Sequence, residues 1–284
     1  VNFDEMKIYI NYQNGNYDFP INSAEEWPAL TPVDDNAISL AVSADALLGG
    51  ISRSLFATAQ EELRPVMNGI YFDLTPDYLA VVASDGHKLV RNQYLTVKSQ
   101  SPASFIMPKK PATLMKHVLS KDGGDVVIRF DGRAAEVNYG DGVLYCRLIE
   151  GHYPNYNAVI PEDNPNMLNI DRRILLSALR RMLPFASDTS ELIRFHLENG
   201  KLELSAQDID FATNAKESIT CDYNGVPMSI GFKGSSIIEI LSHLESDNIT
   251  IQLADPSRPG VVVPEEQPEN ERITMLAMPM LLEN

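Results

Sequence analysis

The 284-residue chain is poor in cysteine and has no long apolar segment. Two cysteines, Cys146 and Cys221, are too few for a disulfide framework or a four-ligand zinc site. The longest apolar runs, such as residues 78–83, fall far short of the roughly 20 residues that a membrane helix needs. A disulfide-stabilised fold and a helical membrane protein are therefore excluded. Reduced thiols and the lack of a signal-like segment after Val1 predict a cytoplasmic protein with no membrane partner.

Common catalytic motifs are missing as well. The sequence has no phosphate-binding loop, dinucleotide-binding glycine pattern, zinc-protease motif or nucleophile elbow. The most catalytic-looking triplet is Asp85-Gly86-His87, in which Asp85 could orient His87 as a general base. A tight turn between two strands explains the same residues without any chemistry. We predict no catalytic residue, no metal and no cofactor, and a hydrolase that uses Asp85 and His87 is kept as an alternative.

Basic residues are scarce, with 23 Lys and Arg against 39 Asp and Glu, a net charge of −16. Such an acidic protein would ordinarily not bind nucleic acid. The charge is unevenly distributed, however. Residues 1–35 carry one basic and seven acidic groups, residues 36–160 carry twelve of each, and residues 161–284 carry ten and twenty.

The positive charge concentrates on predicted helices. Hydrophobic spacing predicts four of them, at residues 43–59, 109–120, 171–185 and 234–244. Together they hold eight basic and three acidic residues. A basic helix surface on an otherwise negative protein suits nonspecific contacts with phosphates, while solvated helix faces are often basic without any function.

Two of these helices have basic residues two turns apart. Lys109 and Lys116 are predicted to lie opposite an apolar stripe, and Arg173 and Arg180 repeat that spacing on another helix. The stripes are Leu114, Met115, Val118 and Leu119 on the first helix, and Ile174, Leu175, Leu179 and Met182 on the second. We predict that the four cations face one common concave surface.

The chain contains an internal repeat with a period of about 128 residues. A strand that leads into a helix occurs at residues 40–57 and again at residues 168–186. Ser43 and Asp171 occupy the expected N-cap position in each copy. A further match aligns Trp27-Pro28-Ala29-Leu30 with Tyr153-Pro154-Asn155-Tyr156. Chance similarity of short apolar patterns is the alternative explanation.

The repeat predicts the domain organisation. Residues 1–35 would be the C-terminal remnant of a first unit, residues 36–160 a second unit, and residues 161–284 a third. The first unit would then begin about 92 residues before Val1, for a total of roughly 384 residues. Alternating strand patterns around Gly and Pro turns predict an α+β fold, in which each repeated unit has two helices packed on antiparallel sheets.

The C-terminal segment is strongly apolar where chain ends are usually solvated. Residues 273–277 are predicted to form a last strand in the sheet of the third unit, and Pro279 ends it. Met280, Leu281 and Leu282 follow. Flexible Met beside Leu suits an adaptable pocket for a partner peptide.

Several motifs, in order along the chain, resemble the bacterial DNA polymerase III beta subunit family, the sliding clamps. These motifs are Asn68-Gly69-Ile70, Ser84-Asp85-Gly86-His87-Lys88-Leu89, Gly151-His152-Tyr153-Pro154-Asn155-Tyr156, Gly231-Phe232 and Met278-Pro279-Met280. The resemblance implies repeated clamp domains that form a homodimeric, head-to-tail ring in the full-length protein. Helices would line the hole around duplex DNA, bound without sequence preference, and sheets would form the outer wall.

The resemblance also implies the function and partners. The protein would be a non-catalytic processivity factor that tethers the replicative polymerase to DNA. It would dock the DNA polymerase III alpha subunit, the clamp loader and other proteins that carry a clamp-binding motif. A stand-alone peptide-binding scaffold without a DNA role is the alternative, against which the basic helix faces argue.

The resemblance assigns a peptide pocket between the second and third units. Its residues would be Met67, Ser84, Gly86, His87, Lys88, Leu89, Pro154, Val159, Ser236, Leu276, Met278, Pro279, Met280, Leu281 and Leu282. The expected DNA-facing residues are Arg53, Arg64, Lys109, Lys116, Arg173 and Arg180.

Some positions depart from the family pattern. Pro65-Val66 stand where the family often has aromatic residues near DNA, which makes Arg64 the better candidate for that loop. Ser236 replaces a common aromatic residue, and Leu281 and Ala158 replace common basic residues. The peptide preference of the pocket is therefore left open.

Overall fold

The computed structural model describes four stretches of the chain, residues 2–4, 6–26, 32–60 and 63–282. The repeat match at Trp27-Pro28-Ala29-Leu30 lies outside the described residues. The chain divides into two compact units, Val1–Pro32 and Val33–Asn284. The predicted division of the larger unit near residue 160 stays a prediction.

The smaller unit is a three-stranded antiparallel sheet. Its strands are β1 (Asn2–Asp4), β2 (Lys7–Tyr12) and β3 (Gly15–Pro20), in that order across the sheet. Strands β2 and β3 form a hairpin in which Tyr12 lies opposite Gly15. The rings of Tyr12 and Tyr17 stack at 5.7 Å on one of its faces.

The larger unit contains the four predicted helices. They are α1 (Ala44–Ser54), α2 (Lys109–Asp122), α3 (Arg172–Met182) and α4 (Gly234–Ser242). The Ser43 hydroxyl accepts a hydrogen bond from the Ala46 N–H at 3.2 Å, and the Asp171 carboxylate accepts one from the Ile174 N–H at 2.9 Å. Both predicted N-caps are confirmed. Helices α1 and α3 end earlier than predicted because each continues as one 3₁₀ turn, Leu55–Ala57 and Leu183–Phe185.

The Asp171 cap gives a testable stability effect. We expect Asp171→Ala to lower the free energy of unfolding by about 1 kcal/mol, because the Ile174 N–H loses its partner at the start of α3. Urea denaturation followed by circular dichroism measures the change. Asp210→Ala is the matched control, since that carboxylate is exposed and forms no hydrogen bond or ion pair within the described stretches. Equal stability of both variants would contradict the capping role.

Among the described residues of the larger unit there are also eighteen strands. They are β4 (Ile38–Ser43), β5 (Gly69–Leu74), β6 (Leu79–Ser84), β7 (Lys88–Tyr94), β8 (Ala103–Pro108), β9 (Asp125–Phe130), β10 (Ala134–Tyr139), β11 (Gly142–Arg147), β12 (Asn166–Asp171), β13 (Leu192–Glu198), β14 (Lys201–Asp208), β15 (Thr213–Thr220), β16 (Asp222–Tyr223), β17 (Met228–Lys233), β18 (Asn248–Leu253), β19 (Gly260–Pro264), β20 (Glu271–Ala277) and β21 (Pro279–Met280). They form three sheets, with the orders β11-β10-β9-β4, β16-β12-β18-β19-β20-β7-β6-β5-β8 and β15-β14-β13-β17-β21. The predicted α+β fold is confirmed.

The nine-stranded sheet joins the second and third repeats. Strand β20 pairs antiparallel with β7, so Leu276 lies opposite Leu89 and Ala277 opposite Lys88. The predicted last strand thus exists, but its sheet is shared with the second repeat and is not confined to the third. As a result, the hairpin between β6 and β7 lies beside the C-terminal segment.

The buried faces of two helices differ from the predicted stripes. Leu114 and Ile174 were predicted to be core residues, yet they are 48% and 53% exposed. On α2 the buried positions are Ala112, Met115 and Leu119, and the small Ala112 gave a weak hydrophobic signal. Ile174 lies next to exposed Arg173, so the outward face of α3 is partly apolar.

Candidate functional site

The hairpin between β6 and β7 borders a cavity of about 250 Å³. Its walls come from this hairpin, the connector after β11, strand β20 and the C-terminal segment. The lining residues are Arg64, Met67, Ser84, Gly86, His87, Lys88, Leu89, Tyr153, Pro154, Asn155, Tyr156, Val159, Leu276 and Met278. Val159 and Met278 remain 51% and 41% exposed, so the apolar lining is open to a ligand.

Local hydrogen bonds hold the hairpin in place. Asp85 Oδ1 accepts from the backbone N–H groups of His87 and Lys88, each at 2.9 Å. Ser84 Oγ donates to the Lys88 carbonyl at 2.9 Å and accepts from the Gly86 N–H at 3.1 Å. Gly86 has a φ of +92°, a left-handed conformation that glycine tolerates. The Asp85 carboxylate therefore stabilises the turn by accepting backbone hydrogen bonds. The His87 ring makes no hydrogen bond to any described residue.

Tyrosines of the connector form another wall of the cavity. The ring of Tyr153 stacks on Tyr71 at 4.6 Å, and the Tyr156 hydroxyl donates to Asp73 Oδ2 at 2.6 Å. Burial raises the pKa of both Tyr153 and Tyr156, and the nearby Asp73 carboxylate raises that of Tyr156 further. Both hydroxyls are therefore neutral at physiological pH. The rings of this part of the wall pack on the sheet through Tyr71.

A second cavity of about 530 Å³ lies on the other side of Met278. Its lining residues are His87, Thr189, Ser190, Lys233, Ser236, Ala277, Met278, Pro279, Met280 and Leu281. Strand β21 places Met280 opposite Gly231 and Pro279 opposite Phe232 on β17. The Met278 N–H donates to the His87 carbonyl at 2.8 Å. His87 and Met278 thus line both cavities.

The structure gathers nearly all the pocket residues suggested by the sequence. The exception is Leu282, which lines neither cavity and instead lies against Gly231, where an added Cβ would come within 2.9 Å of its side chain. The sequence did not point to Tyr153, Asn155, Tyr156, Thr189, Ser190, Lys233 and Ala277 as lining residues. Tyr153 and Tyr156 could have been found, because the repeat comparison already singled out that segment.

The cations near the first cavity have different roles. Lys88 Nζ lies 2.6 Å from Asp85 Oδ2 and 3.1 Å from Glu239 Oε2, and its side chain is only 11% exposed. Burial alone would lower the Lys88 pKa, but both ion pairs outweigh it and the pKa is raised. Arg64 was assigned to DNA from the sequence, whereas the structure places it in the exposed lining of this cavity near Gly86.

Among the predicted DNA-facing cations on α2 and α3, the two arginines on α3 are the more accessible. Arg173 is 72% exposed and pairs with Asp247 at 3.0 Å, and Arg180 lies 3.5 Å from the Ser242 hydroxyl. Lys116 is half-buried, and Lys109 donates to the Ala59 carbonyl. Burial lowers the pKa of Lys109. Helix α1 packs on α2 and α3 packs on α4.

Arg53 points into the protein. Its guanidinium forms an ion pair with Glu271 on β20 at 2.7 Å and also contacts Asn92 and Tyr94, at 3.2 and 3.1 Å. The Arg53 side chain is 14% exposed. Burial raises the pKa of Tyr94 to about 12, so that hydroxyl stays neutral. The Arg53 charge is therefore largely neutralised inside the molecule, which the helix pattern could not reveal.

The described stretches show no group of three or more His, Cys, Asp or Glu side chains that could hold a metal ion. None of the helices within them is both long and apolar enough to cross a membrane.

Repeated helix-on-sheet units with an open apolar cleft at their junction define a protein of the DNA-clamp class. Models of the DNA polymerase III beta subunit match the chain twice, with the central domain at residues 41–155 and the C-terminal domain at residues 157–281. The beta sliding clamp of Synechococcus elongatus is 30% identical over 277 residues, which cover 95% of this chain and 72% of that protein. The chain therefore belongs to the DNA polymerase III beta subunit family, the sliding clamps.

Other relatives agree with this assignment. The beta sliding clamp of Caulobacter vibrioides is 24% identical, over 98% of this chain and 74% of its own. A crystal structure of a Pseudomonas aeruginosa sliding clamp bound to griselimycin matches with a TM-score of 0.92 at 23% identity, covering 99% of this chain and 75% of that one. The Thermotoga maritima beta subunit matches with a TM-score of 0.90 at 23% identity, covering 99% and 76%.

Family membership confirms several expectations from the sequence. The resemblance to sliding clamps and the clamp function are confirmed. Members of this family are non-catalytic processivity subunits of DNA polymerase III, so the protein is not an enzyme. The alternative of a hydrolase that uses Asp85 and His87 is therefore wrong.

Proposed function

We propose that this chain tethers the replicative DNA polymerase to duplex DNA as part of a closed ring, and that partner proteins dock in the two cavities beside Met278. The observation that carries the proposal is this preformed apolar cleft at the junction of two repeats, in a chain whose helix α3 also carries exposed arginines. Two copies would close the ring in the cytoplasm.

The proposed DNA surface consists of Lys109, Lys116, Arg173 and Arg180. Cations on helices can contact phosphates without reading bases, which is what a clamp that slides along DNA requires. The net charge of −16 repels DNA elsewhere and leaves these helices as the favourable approach. Arg64, which is exposed but lines the first cavity, would contribute less, and Arg53 would contribute least because it pairs with Glu271.

The DNA surface can be tested by charge removal. We expect the quadruple variant Lys109→Ala, Lys116→Ala, Arg173→Ala and Arg180→Ala to bind a short fluorescent duplex much more weakly at low salt. The slope of log K against log salt is negative, and its magnitude should decrease by roughly one unit for each lost phosphate contact. Fluorescence anisotropy across a salt series measures both quantities, and competition with unrelated duplexes checks that binding is independent of sequence.

A matched variant controls for net charge. The control changes four cations that form ion pairs outside the four helices: Arg129, Lys201, Lys216 and Arg258. Replacing them with Ala removes an equal number of positive charges. This control should keep the parent's salt slope. A parent that binds peptide but no duplex would favour the scaffold alternative, and equal losses in both variants would contradict the proposed surface.

The cleft suits a short peptide with apolar anchors. Leu89, Val159 and Leu276 give the first cavity an apolar lining, and Met278, Met280 and Leu281 do the same for the second. Polar groups in the second cavity, Thr189, Ser190 and Ser236, can orient a peptide by hydrogen bonds. We propose the polymerase alpha subunit, the clamp loader and other clamp-binding-motif proteins as the partners.

A further inference from the structure

Lys88 links two elements that border the cleft. Its ammonium lies 2.6 Å from Asp85 Oδ2 within the hairpin and 3.1 Å from Glu239 Oε2 on α4. The stem of Lys88 lines the first cavity, while its charged end is occupied by these two carboxylates. Lys88 is therefore poorly placed to offer its charge to a bound peptide.

Glu239 belongs to the helix that borders the second cavity. It lies one turn after Ser236, which lines that cavity, but Glu239 itself lines neither cavity. The hairpin at the other end of the ion pair carries His87, which lines both. The Lys88–Glu239 pair consequently joins the structural elements on the two sides of the cleft.

We propose that the Lys88–Glu239 ion pair fixes the two cavities relative to each other, and that Glu239 is a positioning residue for peptide binding. This inference rests on the proposed peptide-docking function. A peptide with one apolar anchor in each cavity binds more tightly when the spacing of the cavities is fixed before binding, because the protein then loses less conformational entropy on binding. The hairpin is also held to the C-terminal segment by the backbone hydrogen bond from Met278 to His87 and by the pairing of β7 with β20, which begins at Lys88. The ion pair adds a side-chain link from the hairpin to α4.

The partial exposure of the pair sets the conditions of the test. Glu239 is 46% exposed, so water and salt screen it and the effect should be larger at low ionic strength. Glu239→Gln keeps the shape of the side chain and removes its charge. Lys88→Met is harsher, because it also removes the partner of Asp85.

The proposal can be tested with a fluorescent peptide from the C-terminal tail of the cognate polymerase alpha subunit. Glu239→Gln should weaken its binding about five-fold in fluorescence polarisation at low salt, with an unchanged melting temperature. In the Lys88→Met background, Glu239→Gln should cause no further loss. Lys88→Arg should recover most of the affinity that Lys88→Met loses, since Arg can keep both ion pairs.

The matched control is Glu217→Gln, which breaks the exposed ion pair with Arg181 on α3 and should leave peptide affinity unchanged. Hydrogen–deuterium exchange of residues 84–88 provides a readout that needs no peptide, and Glu239→Gln should accelerate it. Parent-like peptide affinity and exchange in Glu239→Gln would overturn the proposal. If the parent binds no tail peptide, the proposed docking function fails, and the exchange experiment alone decides whether the ion pair holds the hairpin.

Discussion

Deletion of residues 278–284 is expected to abolish binding of the polymerase-tail peptide. Met278 lines both cavities, and Met280 and Leu281 line the second, so the deletion removes one wall of each. Burying ~100 Å² of apolar surface contributes about 2.5 kcal/mol, so losing several anchor contacts should weaken binding by more than about 30-fold. Fluorescence polarisation with the labelled tail peptide measures the loss.

The fold should survive this deletion. Strand β21 contributes only two residue pairs to β17, whereas β20 keeps all seven of its pairs with β7. Circular dichroism and thermal unfolding check this point. His87→Ala should weaken binding less, because the exposed ring has no hydrogen-bond partner in the described part of the chain. Val226→Ala, which changes an exposed apolar residue outside both cavities, should have no effect. A folded deletion variant with the parent's affinity would show that the peptide binds elsewhere.

Local features of the fold could be predicted from the sequence. Ser43 and Asp171 are strong N-cap residues, and their effect depends on neighbours three residues away. Strands such as β5 and β6 have short apolar patterns bounded by turn residues, and such local patterns can be recognised in the sequence. The pocket residues came from motif resemblance, because spacing alone does not bring residue 89 next to residue 276.

Long-range pairing could not be predicted. The contact of β20 with β7 depends on which sheet edge is free after the chain has folded, and alternation of apolar residues does not encode that choice. The ion partners of Arg53 and Lys88, Glu271 and Glu239, lie far along the chain in the third repeat. From the sequence alone, a basic residue on a helix such as Arg53 is therefore expected to be free to contact DNA, whereas in the folded protein it forms an ion pair.

Arg53 gives the clearest test of this distinction. We expect Arg53→Met to lower the free energy of unfolding by about 3 kcal/mol, because Glu271 would be left mostly buried without its cation. Asn92 and the neutral Tyr94 hydroxyl would lose a hydrogen-bond partner as well. Guanidinium denaturation measures the change, and the salt slope of DNA binding should stay close to that of the parent.

Two further variants separate the ion pair from other effects of Arg53→Met. The double variant Arg53→Met with Glu271→Leu should recover much of the stability, because replacing both charges removes the unpaired carboxylate. Arg258→Met is the control, since the exposed Arg258–Asp163 pair should contribute less than about 1 kcal/mol. If Arg53→Met is as stable as the parent and lowers the salt slope of DNA binding, Arg53 acts on DNA as the sequence suggested. Loss of stability without a change in slope instead assigns Arg53 to the junction between α1 and β20.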